Sequence, residues 1–442
     1  MTTDDERSPR VEMASDDERA LNSSTEEPRD PGRWRDLVAY WILGLCNNYG
    51  YVVMLTAAHD ILKGLDGHGD NDGKSMASPF AEDPTNGYDR RPCNKLSTGA
   101  ILLADILPAL SIKLIASFFP LWKHFRVGAA VLLAAGGFLM VAFATTEWMI
   151  FLGVIFTSFS SGLGEATFLA YASYFHKNVI STWSSGTGGA GVIGSLSYTG
   201  LAAAGLSPKA TMLVMLVVPA AEAASFWLLL RHKDTSGAPS VESGDESSKT
   251  TVDYSTLPAN ERPLESWKQK INYIPSLFIY MIPLILVYLF EYFINQGMFE
   301  LVYFPGIWLD QSEQYRVYQV LYQVGVFISR SSVNIVHFKH VWIMAVLQFV
   351  NVVIFTFEAI YYYMPSIWIV FVLILWEGLL GGGGYVNTFY RMQQEVPDAR
   401  REYAMMITSI SDSVGIALAG VAAIPSHNAI CDLPVPDRLV SF

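Results

Sequence analysis

The run Trp148-Met-Ile-Phe-Leu-Gly-Val-Ile-Phe-Thr-Ser-Phe-Ser-Ser-Gly-Leu-Gly-Glu-Ala-Thr-Phe-Leu-Ala-Tyr-Ala-Ser-Tyr-Phe175 decides the fold. It contains a single charged side chain, Glu165. At a rise of about 1.5 Å per residue, it is long enough to cross the roughly 30 Å of hydrocarbon in a bilayer. Backbone polar groups in lipid must find partners within their own segment, so the run reads as a membrane helix.

Comparable runs occur on both sides of it: 37–62, 96–121, 127–144, 186–206 and 212–230, then 274–299, 315–335, 341–361, 367–390 and 403–424. The expectation is an all-α polytopic membrane protein of about eleven spans. Composition agrees, with 51% hydrophobic and 16% charged residues against about a quarter charged in soluble domains. The net charge of −12 comes mostly from the first 36 residues and the stretch 234–265. That acidity argues against a nucleic-acid partner, which needs a basic footprint. The polar opening shows no cleavable signal, so 37–62 should act as an uncleaved signal-anchor.

Basic residues in the short flanks set the orientation. With the N-terminus in the cytosol, Arg33, Arg35, Lys123, Arg126, Arg231, Lys339 and Arg391 all fall inside. The expected layout is a disordered acidic cytosolic tail (1–35) and a six-helix half (36–232) with a long lumenal loop at 63–95. A cytosolic linker (233–272), a five-helix half (273–425) and a lumenal tail (426–442) complete it.

The halves echo each other. Gly162-Leu-Gly-Glu-Ala-Thr-Phe-Leu169 in the fourth span parallels Gly378-Leu-Leu-Gly-Gly-Gly-Gly-Tyr385 in the tenth. Asn47-Asn48 in the first span parallels Asn295-Gln296 in the seventh, and Lys113 before Lys123-His124 parallels Arg330 before Lys339-His340. Six spans repeated in the same sense, with the last one missing, is a major-facilitator-like plan.

Charges inside apolar runs are costly and mark solute or proton paths. Here they are Asp105, Lys113, Glu165, Glu222, Glu291, Arg330, Glu377 and Asp412. Lys113 and Arg330 suit an anionic solute, with Asn47, Asn48, Asn295, Gln296 and Glu291 as further solute-binding candidates, since amides orient hydroxyls. Asp105, Glu165, Glu291 and the pair His59-Asp60 are proton-coupling candidates. The plainer alternatives are interhelical polar contacts and snorkelling.

Gly186-Thr-Gly-Gly-Ala-Gly191 fits a dinucleotide fingerprint by letter only; without a βαβ unit it reads as close helix packing. The Gly381–Gly384 run reads the same way, with a possible bend. Three cysteines have no metal spacing. Cys46 is expected buried, whereas Cys93 and Cys431 share the lumenal side, where a disulfide can form. Tyr254-Ser-Thr-Leu257 in the linker is a sorting pattern that cytosolic adaptors read as a strand. The only N-glycosylation sequon, at Asn22, lies on the cytosolic side. Nothing in the sequence asks for a cofactor or metal, and no catalytic set points to an enzyme.

Longer blocks carry a resemblance. Leu45-Cys-Asn-Asn-Tyr-Gly-Tyr-Val-Val-Met-Leu55, Ala57-Ala-His-Asp-Ile-Leu62, Leu102-Leu-Ala-Asp-Ile-Leu-Pro108 and Ser161-Gly-Leu-Gly-Glu165 are four of them. Others are Trp183–Gly191, Glu291-Tyr-Phe-Ile-Asn-Gln-Gly297, Ser329-Arg-Ser-Ser332, Glu377-Gly-Leu-Leu-Gly-Gly382 and Ile410-Ser-Asp412. Over roughly 34–430 the chain resembles the battenin family of lysosomal membrane proteins, the family of Batten disease. The resemblance implies a facilitator-like transporter of lysosomes and late endosomes that clears glycerophosphodiesters. It also marks Glu291, Arg330 and Asp412 as sensitive positions. The prenylation-type ending and lumenal sequons of some members are missing here. Two other readings stay open: a non-transporting scaffold for trafficking and lysosomal pH control, and a basic amino-acid transporter.

Overall fold

The computed structural model describes residues 32–66, 98–233, 262–264, 266–309 and 311–434, with side chains of the first helix described as far as Met54. His59 and Asp60 fall beyond that point, and Cys93, Tyr254 and Leu257 also lie outside the described residues. Among the described residues there are helices and no strands. The N-terminal group is α1 (Arg33–Asp66), α2 (Thr98–Phe118), α3 (Lys123–Ala142), α4 (Glu147–Ala172), α5 (Asn178–Ala203), α6 (Pro208–Val214) and α7 (Val217–Ala224), which runs on into a π turn, Ser225–Leu229. The C-terminal group is α8 (Trp267–Phe293), extended by a π turn Ile294–Met298, then α9 (Gln311–Ser331), α10 (Val341–Tyr361), α11 (Ile367–Glu395), α12 (Asp398–Thr408) and α13 (Ile410–Cys431).

Eight segments among the described residues are long and apolar enough to cross a membrane, three fewer than the eleven expected. The three outside that set are α2, which is strongly apolar but whose first four side chains are not among those described, and the more polar α5 and α9. They turn polar side chains inward: Asp105 and Lys113, Ser184 and Thr187, Gln314 and Arg330 are all buried. The outside of the bundle is apolar instead, with Leu132 at 74% exposure, Val372 at 67% and Val346 at 60%. An outer surface of this kind suits lipid and not water.

Packing partners recur in both groups. α1 lies along α5 as α8 lies along α13, and α2 lies on α4 as α9 lies on α11. Between the groups the contacts are reciprocal, α2 against α13 and α9 against α5. Glycines permit the closest crossings: Gly186 sits on the Trp41 backbone, Gly188 on Phe327, and Gly325 against Gly378. At the end richest in basic residues the groups are tied together by Tyr174 to Glu402, by Gln393 to the Phe175 carbonyl at 3.3 Å, and by Asn334 to Ser181 at 3.0 Å.

Candidate functional site

Pro108 opens α2 at the point that matters most. A proline inside a helix disturbs the local backbone ladder. The Ser158 hydroxyl of α4 fills the opening: it accepts from the Ala109 amide at 3.0 Å and donates to the Asp105 carbonyl. The repaired kink leaves Asp105 and Lys113 on the wall of a cavity between the two groups. Its volume is about 60 Å³, space for a few waters at roughly 10–15 Å³ each.

Lys113 belongs to a buried triad. Its ammonium lies 2.6 Å from Glu165 of α4 and 2.9 Å from Asp412 of α13, and it also donates to the Ser409 carbonyl at 3.0 Å. Tyr385 of α11 donates to Glu165 at 2.7 Å and accepts from the Trp183 indole at 3.2 Å. With both carboxylates ionised, the triad carries one net negative charge.

Arg330 is held differently. Its guanidinium donates to the Thr187 hydroxyl at 2.6 Å and to the Tyr288 hydroxyl at 2.8 Å, and stands 4.3 Å from the Tyr385 ring centre. Its Nε is buried without a hydrogen-bond partner, and no carboxylate among the described residues is within ion-pair distance. A buried guanidinium contacted by hydroxyls and a π face has not spent its charge, and its planar fork matches an oxyanion.

Of the residues singled out in the sequence, Asn48, Asp105, Lys113, Glu165, Arg330 and Asp412 meet on this cavity. Asn47 does not line it: its amide donates to the Ser161 carbonyl at 3.1 Å and to Asn48 at 3.3 Å, an interhelical contact. Glu291 is buried behind the wall, where it accepts from Tyr322. Asn295 and Gln296 sit in the π turn and are not on the cavity wall. In a regular helix they would follow Tyr288 and Tyr292 on one face, and a π turn breaks that register. Cys46 is free and buried, Cys431 is disulfide-bonded, and Cys93 is among the residues not described. The Gly381–Gly384 run is buried in continuous α11, with Gly381 against the Glu291 carboxylate.

Sequence reasoning missed the tyrosines. Tyr51, Tyr288, Tyr292 and Tyr385 all line the cavity, with the Tyr51 and Tyr292 hydroxyls 3.3 Å apart. The available signal was Tyr288 and Tyr292 one turn apart in an apolar span, since a phenol buried in lipid needs a partner for its hydroxyl. Asp412 was noted as a buried charge, but its pairing with Lys113 was not foreseen.

Comparison with solved structures gives the fold. The human organic anion transporter MFSD10 (TETRAN) superposes with a TM-score of 0.57 at 11% identity, covering 91% of this chain and 96% of that one. A bacterial homologue of the human lysosomal transporter Spinster, inward-facing and occupied, gives 0.50 at 13% identity over 88% and 81%. This is the fold of major facilitator transporters. Battenin from Canis lupus familiaris is 43% identical, covering 94% of this chain and 98% of its own length. Protein BTN1 from Yarrowia lipolytica is 36% identical over 90% and 95%, and Protein btn-1 from Neurospora crassa 34% over 90% and 89%. The family model described as CLN3 protein matches residues 38–433, and the chain belongs to the CLN3 protein family.

Proposed function

We propose that the chain exports glycerophosphodiesters, the deacylated products of phospholipids, across the lysosomal and late-endosomal membrane to the cytosol. The observation that carries this reading is Arg330, a buried cation on the cavity wall with hydroxyl partners and no carboxylate. A phosphodiester brings one negative charge, which Arg330 balances, and a glycerol whose hydroxyls meet Asn48 and the tyrosines. A phosphomonoester dianion would meet the net negative triad with its second charge unbalanced. Lys113 then serves to hold α2, α4 and α13 together instead of gripping the solute.

In this reading the N-terminus is cytosolic and the C-terminus lumenal. The contacts of Tyr174, Gln393 and Asn334 close the cytosolic end, and the groups must part before a solute larger than a few waters can pass. Asp105 and Glu165 lie where a proton can accompany the solute. Tyr254 and Leu257 would direct delivery through cytosolic adaptors. The test is uptake of labelled glycerophosphocholine and glycerophosphoinositol into proteoliposomes, with and without a pH gradient, against glycerol 3-phosphate as competitor. Saturable uptake that the monoester inhibits poorly supports the reading. Folded protein that moves neither diester under either gradient overturns it in favour of a scaffold.

A further inference from the structure

Several carboxylates among the described residues have an obvious counterpart, while Asp105 and Glu222 are buried with an oxygen left unpartnered. Asp36 pairs with Arg231, Glu165 and Asp412 with Lys113, and Glu402 with the Tyr174 hydroxyl. Glu377 of α11 has none. It is 0% exposed, neither carboxylate oxygen has a hydrogen-bond partner, and no basic side chain among the described residues is within ion-pair distance. Glu291 of α8, 1% exposed, accepts from Tyr322 with one oxygen and leaves the other unpartnered.

The two acids lie together. The Glu291 carboxylate packs onto Gly381, so closely that a side chain there would collide with it. Gly381 is one turn beyond Glu377 on the same helix, and residues four apart share a face. Neither acid lines the central cavity. An ionised carboxylate buried without donors is prohibitively costly, and two adjoining ones more so, whereas a carboxyl holding a proton can donate to its neighbour.

We propose that Glu377 and Glu291 form a proton-binding site inside the C-terminal group, separate from the central cavity. A polar stripe leads to it along α10. Gln348 donates to the Glu377 carbonyl at 3.2 Å, Asn351 donates to Gln348 at 2.8 Å, and Glu358 is buried on the same helix and accepts from the Met364 amide at 2.7 Å. From Gln348 to Glu358 the stripe spans about 15 Å at the helical rise. The opposite face of α10, with Ile343, Val346 and Phe349, is exposed and apolar. The other titratable groups that interact with Glu291 are Tyr51 of α1, Tyr288 and Tyr292 of α8, and Tyr322 and Arg330 of α9.

Two connections link the acid pair to the anion site, and this part rests on the reading of Arg330 given above. Glu291 is one turn from Tyr288, the phenol that accepts from Arg330. Tyr322, which donates to Glu291, lies two turns from Arg330 on α9. Loss of the proton adds negative charge beside the anion site and drives the anion off, so one proton and one anion travel together.

The first test does not depend on transport. In the full chain in lipid nanodiscs, infrared spectroscopy should show a protonated-carboxyl carbonyl band at neutral pH. Buried Asp105 and Glu222 contribute to the same band, so Glu377→Gln should remove one component of it, Glu291→Gln should shift that component, and Asp412→Asn should leave it in place. A Glu377→Gln spectrum with the band unchanged would overturn the proposal. Glutamine keeps the shape of the protonated acid, so this variant should melt with the wild type. The second test is glycerophosphocholine movement in proteoliposomes, where Glu377→Gln should keep solute exchange and weaken its stimulation by a pH gradient, Asp105 and Glu165 remaining in place. Stimulation equal to wild type sinks the idea. Wild-type protein that moves no solute at all counts against the transport reading, and the infrared band still decides the proton site.

Discussion

Lys113 and Arg330 occupy corresponding places, each on the second helix of its group and each reaching across to the fifth span of the other, α12 and α13 together forming one span. Their surroundings differ at two matched points. Where α13 offers Asp412 to Lys113, α5 offers only Thr187 to Arg330. Where α4 offers Glu165 to Lys113, the parallel position in α11 is Gly381. One cation is over-neutralised, and the other keeps its charge for something else. The comparison teaches that a repeated framework can tie one member of a pair down and leave the charge of the other unpaired by changing its partners alone.

The comparison can be broken most severely at Lys113. Lys113→Ala strands Glu165 and Asp412 together in the interior, and removing one partner of a buried network costs about 3–5 kcal/mol. The expected outcome is a large drop in melting temperature of detergent-solubilised protein, with little folded material left. Arg330→Ala should fold, because it leaves hydroxyls and no charge behind, and should lose anion binding. A charge-assisted contact is worth about 1.5–3 kcal/mol, roughly a ten- to hundredfold loss in affinity. Arg330→Lys should fall between the two, since an ammonium lacks the planar fork.

Thr187→Asp sharpens the contrast by giving Arg330 the kind of partner Lys113 already has. It should lower solute uptake several-fold, on the order of 1 kcal/mol, while the melting temperature holds or rises. Tyr385→Phe is the smallest change. It removes one oxygen, and with it the charge-assisted donor to Glu165, worth about 1.5–3 kcal/mol, and the acceptor for Trp183, and should appear as a loss of thermal stability.

The helices were legible because length and apolarity are local properties. Even α5 and α9, whose inward polar faces dilute the signal, were read as spans, and the structure has helices at both. Gly186–Gly191 was legible as a packing surface, and the structure sets it between α1 and α9. Eight of the buried charges were plain in the sequence, but Glu300 and Glu358, also buried, were not singled out, and no pairing was visible. Lys113 and Asp412 are 299 residues apart, and nothing local states which carboxylate comes back to which cation. The amides Asn295 and Gln296 were placed by helical period, which the π turn interrupts. The tyrosines were hidden among many aromatics of an apolar chain until geometry showed which hydroxyls face the cavity.

The central claim is that Arg330, and not Lys113, holds the anion. The most direct measurement is saturable uptake of labelled glycerophosphocholine into proteoliposomes containing wild type, Arg330→Ala, or a neutralised triad (Lys113→Met with Glu165→Gln and Asp412→Asn). Replacing a whole buried ionic network by neutral groups is often tolerated. The account predicts that the neutral triad keeps solute exchange while Arg330→Ala abolishes it in folded protein. Exchange that survives in Arg330→Ala and disappears with the triad would contradict it.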